Sequence, residues 1–418
     1  MTTPIPLLFL VADTGGGHRA AARAVIQALH HDYPDTFDAV LCDPLGGPRA
    51  AGLLRRVTRL YAPSIRWAPW TWGAIYYGCD SRPAVRLLQS TLLALAHRPV
   101  ADAVAYHQPA AIVSFHPLTG GAAVRARNLQ APFAPVVTVV TDLVNVHRAW
   151  RDDKVDRIVV PRTAIRRSLD AMTDRSGRRV EIGIPVAAAF AAGPLGPSQR
   201  AELRRSLGVP EHGFLVVLTG GGEGAGGMAR RAAAILRRCS DVHVVALCGR
   251  NRTLHRRLAG LGARYAGRLT VHEFIDNMAD WLRCADVVVG KAGPGTIAEA
   301  TCCGAPLLLT SHVPGQERGN TEFVVRAGAG RHAPTVRHLV REIVALRRNP
   351  AALDAMRVAS ARLGQPTAAA DIVALVAGLA GARVRPDVSA MVAPADERPA
   401  PVPTRKSARP VIAGLNAG

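Results

Sequence analysis

Three stretches of this chain carry residues whose types and spacing can do chemistry. The first is Asp13-Thr14-Gly15-Gly16-Gly17-His18, which follows an apolar run ending at Val11. Consecutive glycines let a backbone turn tightly and approach a ligand closely. His18 then stands at the mouth of a helix, where the dipole disfavours the imidazolium. A neutral imidazole is what a general base requires. A histidine that only caps the turn fits the same residues, and on sequence alone the two readings are balanced. The second stretch is Lys291 to Glu299, a Gly/Pro turn between a β-branched strand and a helix. Free amides and the aligned dipole at such a helix start suit a phosphate. Thr296 is the expected cap, because its hydroxyl can satisfy a first-turn amide. Glu299 would repel the same phosphate but could grip a neighbouring diol, and a phosphate beside a sugar diol describes a nucleotide. An ordinary βα repeat with Glu299 as a capping acid is the plainer alternative. The third stretch, Pro314 to Asn320, is again a turn entering a helix after a short strand.

Further candidates stand at the ends of other strands. The segment from Val136 to Val140 ends in Thr141 and Asp142. The carboxyl end of a parallel strand is where ligands sit in doubly wound sheets. Asp142 can orient His18, can be the base itself, or can close an Asx-type turn, and the residues leave this open. His116 ends the strand from Ala111 to Phe115. After Phe214 to Leu218 comes TGGGEGAGG, in which Gly220, Gly221 and Gly222 can offer amides to a phosphate or keep an interdomain floor thin. A flexible glycine turn is the bland reading. Neither glycine loop is a dinucleotide fingerprint or a Walker loop, since G-x-G-x-x-G and Gly-Lys-Ser/Thr are both missing.

Positioning these loops takes two arrays of alternating strands and helices. The first has strands near 7–11, 38–43, 111–115, 136–140, 158–160 and 181–184, with helices over 18–30 and 83–96. The second has strands near 214–218, 242–248, 269–274, 286–290 and 306–310. Helical periodicity marks 201–207, 252–261, 296–303, 335–347, 351–362 and 367–379. Apolar strands alternating with helices predict an α/β fold of two parallel, Rossmann-like units. The expected division is a first domain over 1–186, a linker over 187–200, a second domain over 201–380 and a basic, disordered tail over 381–418.

Composition narrows the class. A chain of 418 residues suits two domains, and 49% hydrophobic with 5% aromatic content fits a soluble α/β core. No apolar run reaches the roughly 18 residues of a membrane span. The apolar start lacks basic residues and runs into a glycine loop, so it reads as a first strand, not a signal peptide. Seven cysteines fit no metal spacing. Together these point to a reduced, cytoplasmic protein. The formal charge of +21, from 52 Lys+Arg against 31 Asp+Glu, favours polyanions. No helix-turn-helix, finger or stacking-aromatic motif supports nucleic acid as the partner. The segment from Gly52 to Tyr77 suggests lipid instead. Four of six tyrosines and three of five tryptophans fall between Tyr33 and Tyr77, among them Trp67, Trp70 and Trp72. Rings at headgroup level with arginines on lipid phosphates suit an anionic membrane surface. A helical pair with aromatic core residues is the alternative.

KAGPGTIAEA at 291–300, PGQERGN at 314–320, DTGGGHRAAA at 13–22 and TDLVNVHRAW at 141–150 closely resemble motifs of one glycosyltransferase group. That group contains the monogalactosyldiacylglycerol synthases and the peptidoglycan lipid II synthase, and the diacylglycerol galactosyltransferases resemble this chain best. The likeness runs from about residue 7 to about residue 375 and is weakest over 50–80. It implies the GT-B architecture, two Rossmann-like domains across a cleft, and an inverting transfer from a UDP-hexose, galactose or glucose, to the free hydroxyl of 1,2-diacylglycerol. His18 is implied as the base, with Asp142 its rival. Glu299 is implied at the ribose, and Gly295 and Thr296 at the diphosphate, with Gly17, Gly221 and Gly222 lining the loops. The backbone of Phe274 and Ile275 is implied at uracil, and Gln316 and Glu317 at the sugar hydroxyls. No metal or other cofactor is expected, because loop amides and helix dipoles can stabilise the leaving diphosphate. The expected place is the cytoplasm, peripherally on the inner face of the cell membrane. Another lipid acceptor, polyprenyl-linked or glycosylated, is the alternative within transferases. A nucleotide-sugar 2-epimerase, which needs no lipid surface, is the alternative outside them. The sequence carries no signal for oligomeric state.

Overall fold

A computed structural model describes residues 3–12, 16–47, 52, 55–56, 73, 76–79, 81–150, 154–161, 177–224, 227–265 and 267–381. Asp13, Thr14 and Gly15, Trp67, Trp70 and Trp72, Asp152 and Asp153, and the basic tail beyond Gly381 lie outside the described residues.

The first sheet contains β1 (Ile5–Leu10), β2 (Phe37–Cys42), β3 (Ala111–Ser114), β4 (Val136–Val139), β5 (Arg157–Pro161) and β6 (Arg179–Ile182). Its order is β2-β1-β3-β4-β5-β6, and every pairing is parallel. The helices between are α1 (Gly17–Asp32), α2 (Arg82–His107) and α3 (Gly120–Gln130). A bridging segment carries α4 (Ala188–Ala191) and α5 (Pro197–Ser206). The stretch expected as a linker is therefore partly helical, because Pro197 sits in the first turn of α5, where its missing N–H costs nothing.

The second sheet contains β7 (Phe214–Thr219), β8 (Val242–Leu247), β9 (Leu269–His272), β10 (Val287–Lys291), β11 (Leu307–Ser311) and β12 (Gly330–His332). Its order is β12-β11-β10-β7-β8-β9, again parallel throughout. Around it lie α6 (Met228–Arg238), α7 (Arg252–Gly262), α8 (Met278–Cys284), α9 (Pro294–Cys302), α10 (Arg318–Arg326), α11 (Val336–Arg348) and α12 (Pro350–Leu363). The final helix, α13 (Ala368–Leu379), returns to the first sheet.

The strands are apolar on both faces because helices cover both faces. In β1, Leu7 and Phe9 enter one core cluster and Leu8 and Leu10 the opposite one, all fully buried. In β7, Leu215 and Val217 face one side while Phe214, Val216 and Leu218 face the other. Ile372, Val373, Leu375 and Val376 of α13 join Leu7 and Phe9 in the first domain's core, which ties the chain's end to its beginning. Helix α2 runs past the expected stop at 96 and through Pro99. Proline removes one ladder hydrogen bond, but Val100, Ala101, Ala103 and Val104 are buried beyond it. Their burial offsets that loss.

Both sheets reverse direction once, and a reversal opens a crevice at the carboxyl ends of the flanking strands. In the first sheet the reversal lies between β1 and β3, and in the second between β7 and β10. The loops that carry His18 and His116, Gly220 to Gly222, and Lys291 to Gly295 leave from these four strands.

Candidate active site

On the first crevice, α1 begins at Gly17 behind Gly16, whose φ of 82° is a left-handed conformation that glycine adopts without strain. A side chain added at Gly17 would meet open space, so nothing covers this loop among the described residues. His18 follows, packed edge-on against the His116 ring at 4.9 Å between centroids and 6.0 Å from the Trp150 ring. Its pKa is lowered to about 4, with burial the leading cause and a backbone hydrogen bond at Phe115 acting the other way. The ring is neutral, as the helix position suggests, but desolvation is the main reason.

His18 is oriented by Thr141, not by Asp142. Thr141 Oγ1 lies 2.8 Å from His18 Nδ1. Asp142, one residue on, is buried and turned elsewhere: Oδ2 accepts from Trp150 Nε1 at 2.7 Å and Oδ1 accepts from Gln316 Nε2 at 2.7 Å. Both residues lie past the end of β4, and their side chains turn to different partners. Burial raises the Asp142 pKa to about 6, against the hydrogen bonds from Gln316, Trp150 and the His147 backbone. His116 is buried and held well below the ordinary histidine range by desolvation and then by His18. Its Nδ1 accepts from the Leu118 amide at 3.3 Å.

On the second crevice, α9 starts at Pro294, with Gly293 as a cap that offers no side chain. Thr296 is therefore not the cap but the third helical residue. Gly295 and Thr296 lie in the first turn, where amides have no partner within the helix. A side chain added at Gly295 would meet open space. Glu299 is half-buried, and burial raises its pKa to about 7. Its carboxyl makes no hydrogen bond or ion pair to the described residues. Opposite, the loop after β7 folds on itself. The Gly221 amide donates to Thr219 Oγ1 at 3.2 Å, and the Gly222 carbonyl accepts from the Arg250 amide at 2.9 Å. Gly222 itself meets little, with Arg250 Nη1 3.9 Å from an added Cβ. Phe274 is 57% exposed beneath the Arg250 guanidinium, 5.5 Å from its ring centroid. Ile275 is half-buried on the second domain's core.

Two groups take places the sequence leaves unassigned. Lys291, the last residue of β10, reaches to 3.1 Å from where a Gly293 Cβ would stand, beside the mouth of α9. Its Nζ pairs with Glu317 Oε1 at 2.5 Å. Glu317 is buried, and its Oε2 accepts from the Val313 amide at 2.8 Å. Both oxygens of Glu317 are thus already engaged, while Gln316 bridges to the other domain. A lysine closing an apolar strand one step before a Gly/Pro turn is the signal that marks Lys291. Thr141 has no such signal, since only the fold shows which of two adjacent polar residues turns toward His18.

Residues 18–186 match a family model described as monogalactosyldiacylglycerol (MGDG) synthase, and residues 215–372 match the glycosyltransferase family 28 C-terminal domain. Monogalactosyldiacylglycerol synthase 1, chloroplastic, of Arabidopsis thaliana is 32% identical over 382 residues, which cover 88% of this chain and 70% of that protein. Among solved structures, MurG of Acinetobacter baumannii superposes with a TM-score of 0.57 at 18% identity, over 90% of this chain and 100% of that one. A putative UDP-N-acetylglucosamine 2-epimerase from Listeria monocytogenes also reaches 0.57, at 16% identity, over 92% of this chain and 99% of that one. At such identities the likeness is one of fold, the GT-B arrangement, and it serves transferase and epimerase alike. The sequence relatives separate the two.

Proposed function

The chain belongs to the monogalactosyldiacylglycerol synthase family of glycosyltransferases, and from that premise we propose that it moves a hexose from a UDP-sugar to the hydroxyl of 1,2-diacylglycerol. The product is a β-glycosyldiacylglycerol. One observation carries the donor side: two first-turn amides, at Gly295 and Thr296, stand on the same helix as the carboxyl of Glu299, and none of the three has a partner among the described residues. Amides and dipole accept the diphosphate, Lys291 adds positive charge beside it, and Glu299 accepts from the ribose diol. The backbone at Phe274 and Ile275 borders the base. Gln316, with Glu317 behind it, borders the sugar.

On the acceptor side, His18 takes the proton of the diacylglycerol hydroxyl as its oxygen attacks the anomeric carbon. The bond from that carbon to the β-phosphate oxygen breaks on the opposite face, and UDP leaves with the electron pair. A base with a pKa of about 4 is weak, yet it is neutral at every working pH. It accepts a proton late, when bond formation has made the hydroxyl acidic. Thr141 fixes the ring, while Asp142 holds Trp150 and Gln316. Asp142 is thus a positioning residue in this reading.

No helix among the described residues is long and apolar enough to cross a membrane. A lipid acceptor then has to be reached from the membrane face, and we place that contact, on an anionic surface, in the first domain near residues 52–77. Incubation with UDP-galactose or UDP-glucose and diacylglycerol vesicles, followed by mass detection of lipid products, tests the function. A glycosyldiacylglycerol is expected. Free hexose or an epimerised nucleotide sugar without any lipid product would overturn the reading.

A further inference from the structure

The loop that carries Gln316 is shaped by the first domain. Leu143, at the end of the first domain's β4 loop, is buried within the second domain's core cluster, and Val144 packs beside it. Asn145 Nδ2 donates to the Gly315 carbonyl at 2.9 Å. Tyr76 Oη donates to the Asn145 carbonyl at 3.1 Å, and its ring rests edge-on to His147. Gly315 lies under that ring with φ 85°, where an added Cβ would be 2.7 Å from Tyr76 Cγ and Cδ1. A Cβ on Gly319 would come 2.7 Å from Val144 Cγ1 and 2.8 Å from Asn145 Oδ1. A Cβ on Gly73 would come 2.9 Å from Pro314 Cβ. Glycines on both sides of the cleft are thus the condition for this close approach, and the contacts that cross from the first domain at Gly73, Tyr76, Val144 and Asn145 meet Pro314, Gly315 and Gly319.

We infer that Asn145 and Tyr76 are positioning residues of the transfer: they hold the 314–319 loop, and with it Gln316, in register with the first domain's site. The inference rests on the proposed transfer for its kinetic readout but not for its structural one. Tyr76 belongs to the helical residues 76–79, at the end of the segment assigned above to the membrane. Seating of the acceptor segment and placement of the donor loop are therefore one event, joined through Asn145.

Gly319 offers the sharpest test, because its backbone is helical and unstrained. Alanine suits a helix better than glycine, which offsets part of the overpacking it creates, so Gly319→Ala should stay folded with at most a small fall in melting temperature. The same methyl group should push the loop from Val144, widen the molecule by small-angle scattering, and lower kcat at least about tenfold, as overpacking at a fixed seam does. Affinity for UDP, measured calorimetrically, should change less than kcat does, because the amides of Gly295 and Thr296 do not contact the seam, which reaches the donor loop through Glu317 and Asn320. Adding Val144→Ala should restore part of the lost kcat. Asn145→Ala and Tyr76→Phe each remove one neutral hydrogen bond and should lower kcat by about 2- to 10-fold, with UDP affinity again changing less. Wild-type kcat and scattering in Gly319→Ala would overturn the inference. So would a loss that tracks a falling melting temperature and ignores Val144→Ala. If the wild type makes no glycolipid, the proposed function fails, while scattering and UDP affinity still decide the seam.

Discussion

The two crevices share one topology and are furnished in opposite ways. In the first, side chains crowd together: His18, His116, Trp150, Thr141 and Asp142 pack against or hydrogen-bond one another, and burial shifts the titrations of His18, His116 and Asp142. In the second, the backbone faces open space at Gly295, and Glu299 has no partner among the described residues. A donor that brings its own charge needs amides and a dipole, which any glycine-rich turn onto a helix supplies. A hydroxyl acceptor brings a proton that has to go somewhere, which calls for a side chain held in a set protonation state. The division predicts that variants of the first crevice lose turnover and keep nucleotide affinity, and that variants of the second do the reverse.

The largest effect belongs to His18. His18→Ala should lower kcat by about 10² to 10⁴, the usual contribution of a general base, with UDP affinity unchanged. Steady-state kinetics with calorimetry checks both halves. A weakened nucleotide affinity would break the comparison, because the first crevice would then be part of the donor site.

Glu299→Ala should instead weaken nucleotide binding by about 1–3 kcal/mol, the loss of hydrogen bonds to a charged group. The pH dependence sharpens this. With its pKa raised to about 7, Glu299 is partly protonated in the free protein at neutral pH. Hydroxyl donors favour the ionised form, so binding should lower that pKa and release protons. Affinity for a UDP-sugar should therefore fall as pH drops below about 7. Calorimetry in buffers of different ionisation enthalpy should show the release in the wild type and lose it in Glu299→Gln.

A smaller effect is expected for Asp142→Asn. Gln316 can turn its amide to accept from the new NH2, and Trp150 can still donate to the remaining oxygen, so both contacts survive. Turnover should stay within about tenfold of wild type, since neutral hydrogen bonds replace charged ones. The smallest effect is for metal: if loop amides, the helix dipole and Lys291 stabilise the leaving diphosphate as proposed, a chelator should leave glycolipid formation unchanged. Activity lost to the chelator and restored by a divalent cation would contradict this.

How much of this was legible in the sequence differs between the crevices for the same reason. The second is written in backbone, and glycine and proline mark backbone behaviour directly, while the place of Lys291 beside Glu317 came only from the fold. The loops at 220–222 and 291–295 were readable from residue type alone, and the parallel sheets followed from apolar strands alternating with helices. The first crevice depends on which way side chains turn. Thr141 and Asp142 are adjacent and polar, and only the path of the chain beyond β4 decides that Thr141 meets His18 while Asp142 crosses to Gln316. Gln316 and Glu317 likewise read as ligand groups, but their contacts to Asp142, Lys291 and Val313 come from distant segments. Pro99 marked no helix end because burial of Val100, Ala101, Ala103 and Val104 outweighs one missing hydrogen bond.

The assignment of the base is tested most directly by the pH dependence of kcat at saturating donor and acceptor, in the wild type, His18→Ala and Asp142→Asn. Saturation removes the Glu299 titration of the free protein, leaving the groups of the loaded site. A base at His18 is active when neutral, so rate should hold as pH falls and decline only near pH 4, in the wild type and Asp142→Asn alike. That limb should vanish in His18→Ala. A limb near pH 6 that survives in His18→Ala and disappears in Asp142→Asn would instead make Asp142 the base and contradict the roles given to both.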